Sequence, residues 1–173
     1  MGTAVIGIDK TQITAATAVP AFRLGTIGGY DDPTLGYQEF IYGRADGAVT
    51  GAGYVCVEVT TAASANALDM ALITTTNTAA GQNGHGSRVG VAQAVMADNE
   101  YGWFQIYGKG SLRTAAAAAK GTRLNTTATG GALDDDGTAA SRAINGIVLG
   151  AATAGAATSA DGVIAYPTVG ATL

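Results

Sequence analysis

From Tyr101 to Gly108 the chain places Tyr101, Trp103, Gln105 and Tyr107 on one side of an extended strand and Phe104 and Ile106 on the other, because side chains in a strand alternate. Both sides carry aromatic or aliphatic mass. Such a strand must be covered twice, by a second layer of its own domain or by a partner. The same period recurs in Tyr54 to Val59, with Val55, Val57 and Val59 opposite Tyr54, Cys56 and Glu58, and in Tyr37 to Arg44, with Phe40 and Tyr42 opposite Glu39 and Ile41. Further strands are expected over Phe22 to Ile27, Leu68 to Thr75, Arg88 to Val95, Arg123 to Thr127, Arg142 to Leu149 and Gly162 to Val169.

Strand signals every ten to fifteen residues predict an all-β fold with at most one or two short helices, a compact β-sandwich or β-barrel-like domain. The turns agree. Asp31-Asp32-Pro33, Ala45-Asp46-Gly47 and Asp136-Gly137 join carboxylates that bond to nearby backbone with glycines that accept positive φ. The run Ala115 to Ala119 fits a short helix ended by Gly121, a turn, or a strand, and Gly150 to Asp161 has no usable period and reads as a loop. Residues 1–36 carry a sparser pattern. They are expected to form an extended N-terminal arm anchored by Phe22 and Leu24, with residues 37–173 as the β-rich domain.

The hydrophobic share of the 173 residues is 47%, but alanine supplies much of it. Leu, Ile, Val and Phe together make up roughly one fifth of the chain, near the boundary at which folding alone becomes doubtful. A core so thin, in a chain with 26 glycines, predicts burial gained by association with copies of itself.

Charge and rare residues exclude several classes of function. Nine Lys and Arg against thirteen Asp and Glu give a net charge of −4, with the basic residues scattered singly, which is unsuited to nucleic acid. No stretch approaches the ~18 apolar residues of a membrane-spanning helix. Met1 to Lys10 lacks the basic and apolar regions of a secretion signal, so soluble production is expected. One cysteine, Cys56, and one histidine, His85, rule out an intrachain disulfide framework and zinc sites of several Cys or His ligands.

Local chemistry offers little more. His85 lies in Gly84-His85-Gly86-Ser87, next to a serine, but without the strand-to-helix turn of a nucleophile elbow; an exposed hairpin loop is the simpler reading. The stretch also lacks the Gly-Lys-Thr/Ser ending of a phosphate-cradling loop. Asp134-Asp135-Asp136-Gly137 invites calcium, yet an EF-hand loop begun at Asp134 would want glutamate where Asn145 stands, and a solvated turn fits better. Cys56, among valines, reads as a small buried hydrophobe. Asn125-Thr126-Thr127 matches a glycosylation acceptor in form only. No cofactor, metal or catalytic set is expected. Tyr101, Trp103 and Tyr107 combine large contact area with low entropy cost, and serve equally well as interface anchors or as internal core, with sugar stacking a third use.

The order Phe22-Arg23-Leu24-Gly25-Thr26, then Gly36-Tyr37-Gln38-Glu39-Phe40-Ile41-Tyr42-Gly43 with Ala45-Asp46-Gly47-Ala48-Val49, then Tyr101-Gly102-Trp103-Phe104-Gln105-Ile106-Tyr107-Gly108, resembles the head decoration, or capsid cement, proteins of tailed bacteriophages. Lys120-Gly121-Thr122-Arg123-Leu124, Gly130-Gly131-Ala132-Leu133, Ile144-Asn145-Gly146-Ile147 and Tyr166-Pro167 continue the likeness over most of the chain. The resemblance implies a homotrimer made in the host cytoplasm that binds the outer surface of the virion capsid and clamps neighbouring copies of the major capsid protein, with no enzymatic activity. Phe22, Leu24, Tyr37, Phe40, Tyr42, Tyr101, Trp103 and Tyr107 are then the interface candidates, and Gly2 to about Leu35 would lie along capsid subunits by strand pairing. A glycan- or receptor-binding virion surface module and a tail or fibre subunit are the alternatives.

Overall fold

The computed structural model describes residues 6–59, 68–82, 84–153 and 158–172. The chain is nearly all β, as expected, with strands β1 (Ile6–Gly7), β2 (Ile27–Asp32), β3 (Gly36–Ala45), β4 (Val55–Val59), β5 (Asp69–Leu72), β6 (Val89–Ala92), β7 (Tyr101–Thr114), β8 (Leu124–Thr126), β9 (Leu133–Asp134), β10 (Arg142–Leu149) and β11 (Thr158–Thr172). One short helix, α1 (Lys10–Ile13), precedes β2.

Pairing closes the strands into two rings that share β7. In the first ring the order β3-β5-β4-β6-β7 returns to β3, and in the second β7-β11-β10-β8-β9 returns to β7. The 14-residue β7 makes this possible by using each edge twice. Its first half pairs with β3 on one edge and with β6 on the other; its second half pairs with β11 through eight successive residues and meets β9 at Thr114. Closure leaves few free edges, which is how small β domains avoid edge-to-edge aggregation.

Each ring has its own interior. Ile41, Cys56, Met70, Met96 and Phe104 fill the first. Leu112, Leu124, Leu133, Ile144, Leu149 and Ile164 fill the second, together with Val55, Val57, Val59, Val89 and Val91 from the opposite face of β4 and β6. The alternation seen in Tyr54 to Val59 is therefore real: β4 is buried on both sides because it lies between the two cores. A third cluster, Phe40, Tyr42 and Trp103, covers the outside of the β3–β7 ladder and is capped by Ile8, Ile13, Phe22 and Leu24.

Residues 6–36, the described part of the proposed arm, thus pack onto β3 and β7. β1 pairs in parallel with β2, and β2 forms a hairpin with β3. α1 is held by a reciprocal cap in which the Asp9 carboxylate accepts from the Gln12 amide and the Gln12 side chain accepts from the Asp9 amide.

Two sequence readings change and one is narrowed. Of the helix, turn and strand open to it, Ala115 to Ala119 takes the turn, with Ala117 at φ 62°; the Ala118 and Ala119 amides donate to Thr153 Oγ1 and Asp135 Oδ2, and tertiary bonds override alanine's helix propensity. Phe22 to Thr26 is irregular, and the strand starts at Ile27. The last strand begins at Thr158, inside the expected loop, because β7 is long enough to pair with it; residues 154–157 of that loop lie outside the described residues.

Phe104 is fully buried where β3, β6 and β7 meet. Phe104→Ala should lower the unfolding free energy by about 3–5 kcal/mol, read as an earlier urea midpoint at unchanged slope.

Candidate interaction surface

Three irregularities bring three tyrosines together on the outside of the rings. The first is a bulge in β7. Phe40 pairs with Gln105 but Glu39 pairs with Tyr107, so Ile106 is an extra residue. The expected alternation breaks there, and Tyr107 moves to the Glu39 side of the sheet, away from Trp103 and Gln105. A local sequence pattern cannot show this, because the extra residue exists only relative to the partner strand.

The second irregularity is in β11. Ile147 pairs with Ile164 and Asn145 with Thr168, so three residues of β11, Ala165-Tyr166-Pro167, face the single Gly146 of β10. Tyr166 sits at φ 47°, a left-handed conformation that is rare for a bulky residue. Gly146 is required opposite: a Cβ there would lie 2.5 Å from the Ala165 carbonyl oxygen. Pro167, which has no amide to pair, suits the bulge.

The third is Gly108, at φ 100°, where a Cβ would lie 2.6 Å from the Tyr37 carbonyl oxygen. β3 can therefore run close against β7 at the point where Tyr37 emerges.

The resulting cluster is ordered by one carboxylate. Tyr37 donates to Glu39 Oε1 at 3.1 Å and Tyr166 donates to Glu39 Oε2 at 2.6 Å. The Tyr107 ring lies between them, 6.4 Å from Tyr37 and 5.3 Å from Tyr166 between ring centres. Tyr37, Tyr107 and Tyr166 remain 46%, 38% and 55% exposed, so large rings are presented to solvent, the outer two tethered through their hydroxyls and Tyr107 held between them by ring contacts. Beside Tyr166 an apolar recess of about 260 Å³ opens, lined by Ile27, Ile106, Thr168 and Arg88.

The other interface candidates lie elsewhere. Phe40, Tyr42 and Trp103 are buried, and Phe22, Leu24 and Tyr101 pack against them. Only Tyr37 and Tyr107 of the eight reach the exposed cluster. Sequence reasoning missed Tyr166, whose neighbour Pro167, facing Asn145-Gly146, was the available signal.

The remaining candidate chemistry is dispersed. His85 is exposed in a turn, its Nδ1 3.3 Å from the Thr78 carbonyl oxygen. Asp135 accepts from the Ala119 amide, and Asp134 Oδ1 from the Asp136 amide at 3.4 Å. Among the described residues no group of three or more His, Cys, Asp or Glu side chains is placed to hold a metal ion. No described helix is long and apolar enough to cross a membrane. No family of known proteins matches the sequence, and no individual curated protein matches it either.

Two titrations check this geometry. Cys56 is fully buried, and burial pushes its thiol up; the native protein should resist a thiol reagent at mildly alkaline pH and react fully once unfolded. The hydrogen bond to Glu39 pushes the Tyr166 hydroxyl up to about 12, while burial followed by the Glu39 bond raises that of Tyr37. Their folded values exceed the unfolded value near ~10, so the tethers contribute fully below it and are lost as pH rises through the folded values. Tyrosinate absorbance should therefore show a late-titrating fraction that Glu39→Gln moves back toward the ordinary range.

Proposed function

We propose that the chain is a structural virion protein that decorates the outer face of a tailed-phage head as a homotrimer and ties neighbouring major capsid subunits together. The observation that carries this reading is the exposed tyrosine cluster. Three aromatic rings on paired strands, two of them tied to a shared carboxylate and the third packed between them, give a contact surface that loses little side-chain entropy on binding, as interface anchors require. The resemblance of the Tyr37 to Val49 and Tyr101 to Gly108 stretches to decoration proteins supports the same reading.

In this proposal the two-ring body is a rigid wedge, and repetition over a symmetric shell multiplies a modest contact. The chain performs no chemical step, and neither nucleic acid nor membrane is a partner. The sequence expectation that residues 2–35 reach along the capsid is kept in narrower form. Ile8 and Ile13 are committed to the domain's own third cluster, so capsid pairing would fall to the exposed parts of the segment.

Co-sedimentation with the cognate empty heads tests the proposal. The purified chain should sediment alone as a trimer of 17.0 kDa subunits and bind heads at saturable occupancy. The triple change Tyr37→Ser, Tyr107→Ser, Tyr166→Ser should reduce head binding at least tenfold while leaving the fold intact by circular dichroism, since anchors of this type contribute about 2 kcal/mol or more each. A monomer that ignores heads, or a triple variant that decorates them fully, would refute it.

A further inference from the structure

On the face of the β3–β7 ladder opposite the tyrosine cluster, a cleft of about 200 Å³ lies between α1, the β2–β3 hairpin and β7. Its lining is mixed, with Ile13, Tyr30, Leu35 and Phe40 beside three primary amides. Gln38 is 6% and Gln105 1% exposed, and Gln93 stands half-buried beside them. Burying amides costs free energy unless each polar atom is engaged, so their bonds can be followed atom by atom.

All three amide nitrogens are engaged. Gln105 Nε2 donates to the Tyr107 and Lys109 carbonyl oxygens at 3.2 and 3.0 Å, Gln38 Nε2 donates to the Lys109 carbonyl oxygen, and Gln93 Nε2 donates to the Val91 carbonyl oxygen at 3.0 Å and to Gln105 Oε1 at 3.4 Å. These bonds fix the direction of each amide and leave Gln38 Oε1 and Gln93 Oε1 accepting from no described residue. Two glycines of β7 make room for the arrangement. A Cβ at Gly110 would lie 2.3 Å from Gln105 Oε1, and one at Gly108 would lie 3.1 Å from Gln38 Cγ.

The rim adds one charge of each sign. Asp32 accepts from the Thr34 and Leu35 amides through Oδ1, which holds its carboxyl below the usual range and leaves Oδ2 unengaged. Lys10 lies across the cleft on α1, and Ser111 supplies a hydroxyl from β7. A carboxylate ligand would gain Lys10 but face Asp32, and it has nothing to donate to the two glutamine oxygens. An ammonium would gain Asp32 and the glutamine oxygens but face Lys10, and it can accept nothing from Lys10 or Ser111. A hydroxyl group does both.

From this we infer that the glutamine cleft binds a neutral, hydroxyl-rich ligand, of the size of a single sugar ring. The cleft shares Leu35 and Gly110 with a neighbouring groove of about 360 Å³ that runs toward Gly150 and Ala151, just past the end of β10, which gives a second ring somewhere to lie. This site is independent of the tyrosine cluster and of head binding.

The test is a proton–nitrogen NMR titration of the full chain with glucose, galactose and N-acetylglucosamine, with acetate and methylammonium as charged controls. Saturable shifts of the Gln38 and Gln93 side-chain amides are expected with at least one sugar in the millimolar range, and with neither control. Gln93→Leu should weaken that binding roughly fivefold through the loss of one hydrogen bond. Ser111→Ala, at an exposed position, provides a second variant whose spectrum reports whether the fold survives. No saturable shift with any of the three sugars, saturation by acetate or methylammonium instead, or undiminished binding in both folded variants would each overturn the assignment.

Discussion

Everything in this molecule depends on one strand that pairs with two neighbours in each of its halves. β7 closes the first ring with β3 and β6 and the second with β11 and β9. Its alternating side chains supply Phe104 to one interior and Leu112 to the other, while Trp103 anchors the outer cluster. The thin supply of bulky aliphatic residues is offset by geometry. Closing two small rings back to back lets β4 and β6 be buried on both faces, so the same two strands serve two cores, with valines toward the second and Cys56 and Ala92 toward the first.

The same strand positions both surfaces of interest. A single extra residue at Ile106 separates Gln105, which faces the amide-lined cleft, from Tyr107, which faces the opposite side. The carboxylate of Glu39 then joins β3 to β11 across 127 residues of sequence. Such non-local pairing is entropically demanding to form, and an all-β chain of this topology is expected to fold slowly compared with a helical one of equal length.

Much of the framework was legible in the sequence. Arg142 to Leu149 is a strand with the expected bounds, and the faces assigned to Val55, Val57, Val59 and to Phe40, Tyr42 are the faces observed. The α1 cap could have been read from Asp9 and Gln12, three residues apart. Ring closure, the bulges and the tyrosine cluster could not, because each is a relation between distant strands and not a property of any segment. Ala115 to Ala119 is the opposite case, where a strong local helix preference left several readings open and tertiary hydrogen bonds select the turn.

Sharing a strand also means that neither half of the protein can be lifted out. Each ring would need its own copy of residues 101–114, so the two cannot have been joined end to end from finished parts without one surrendering a wall. A graft that replaces the second ring must reproduce the run of glycines at 108 and 110 or disturb the first.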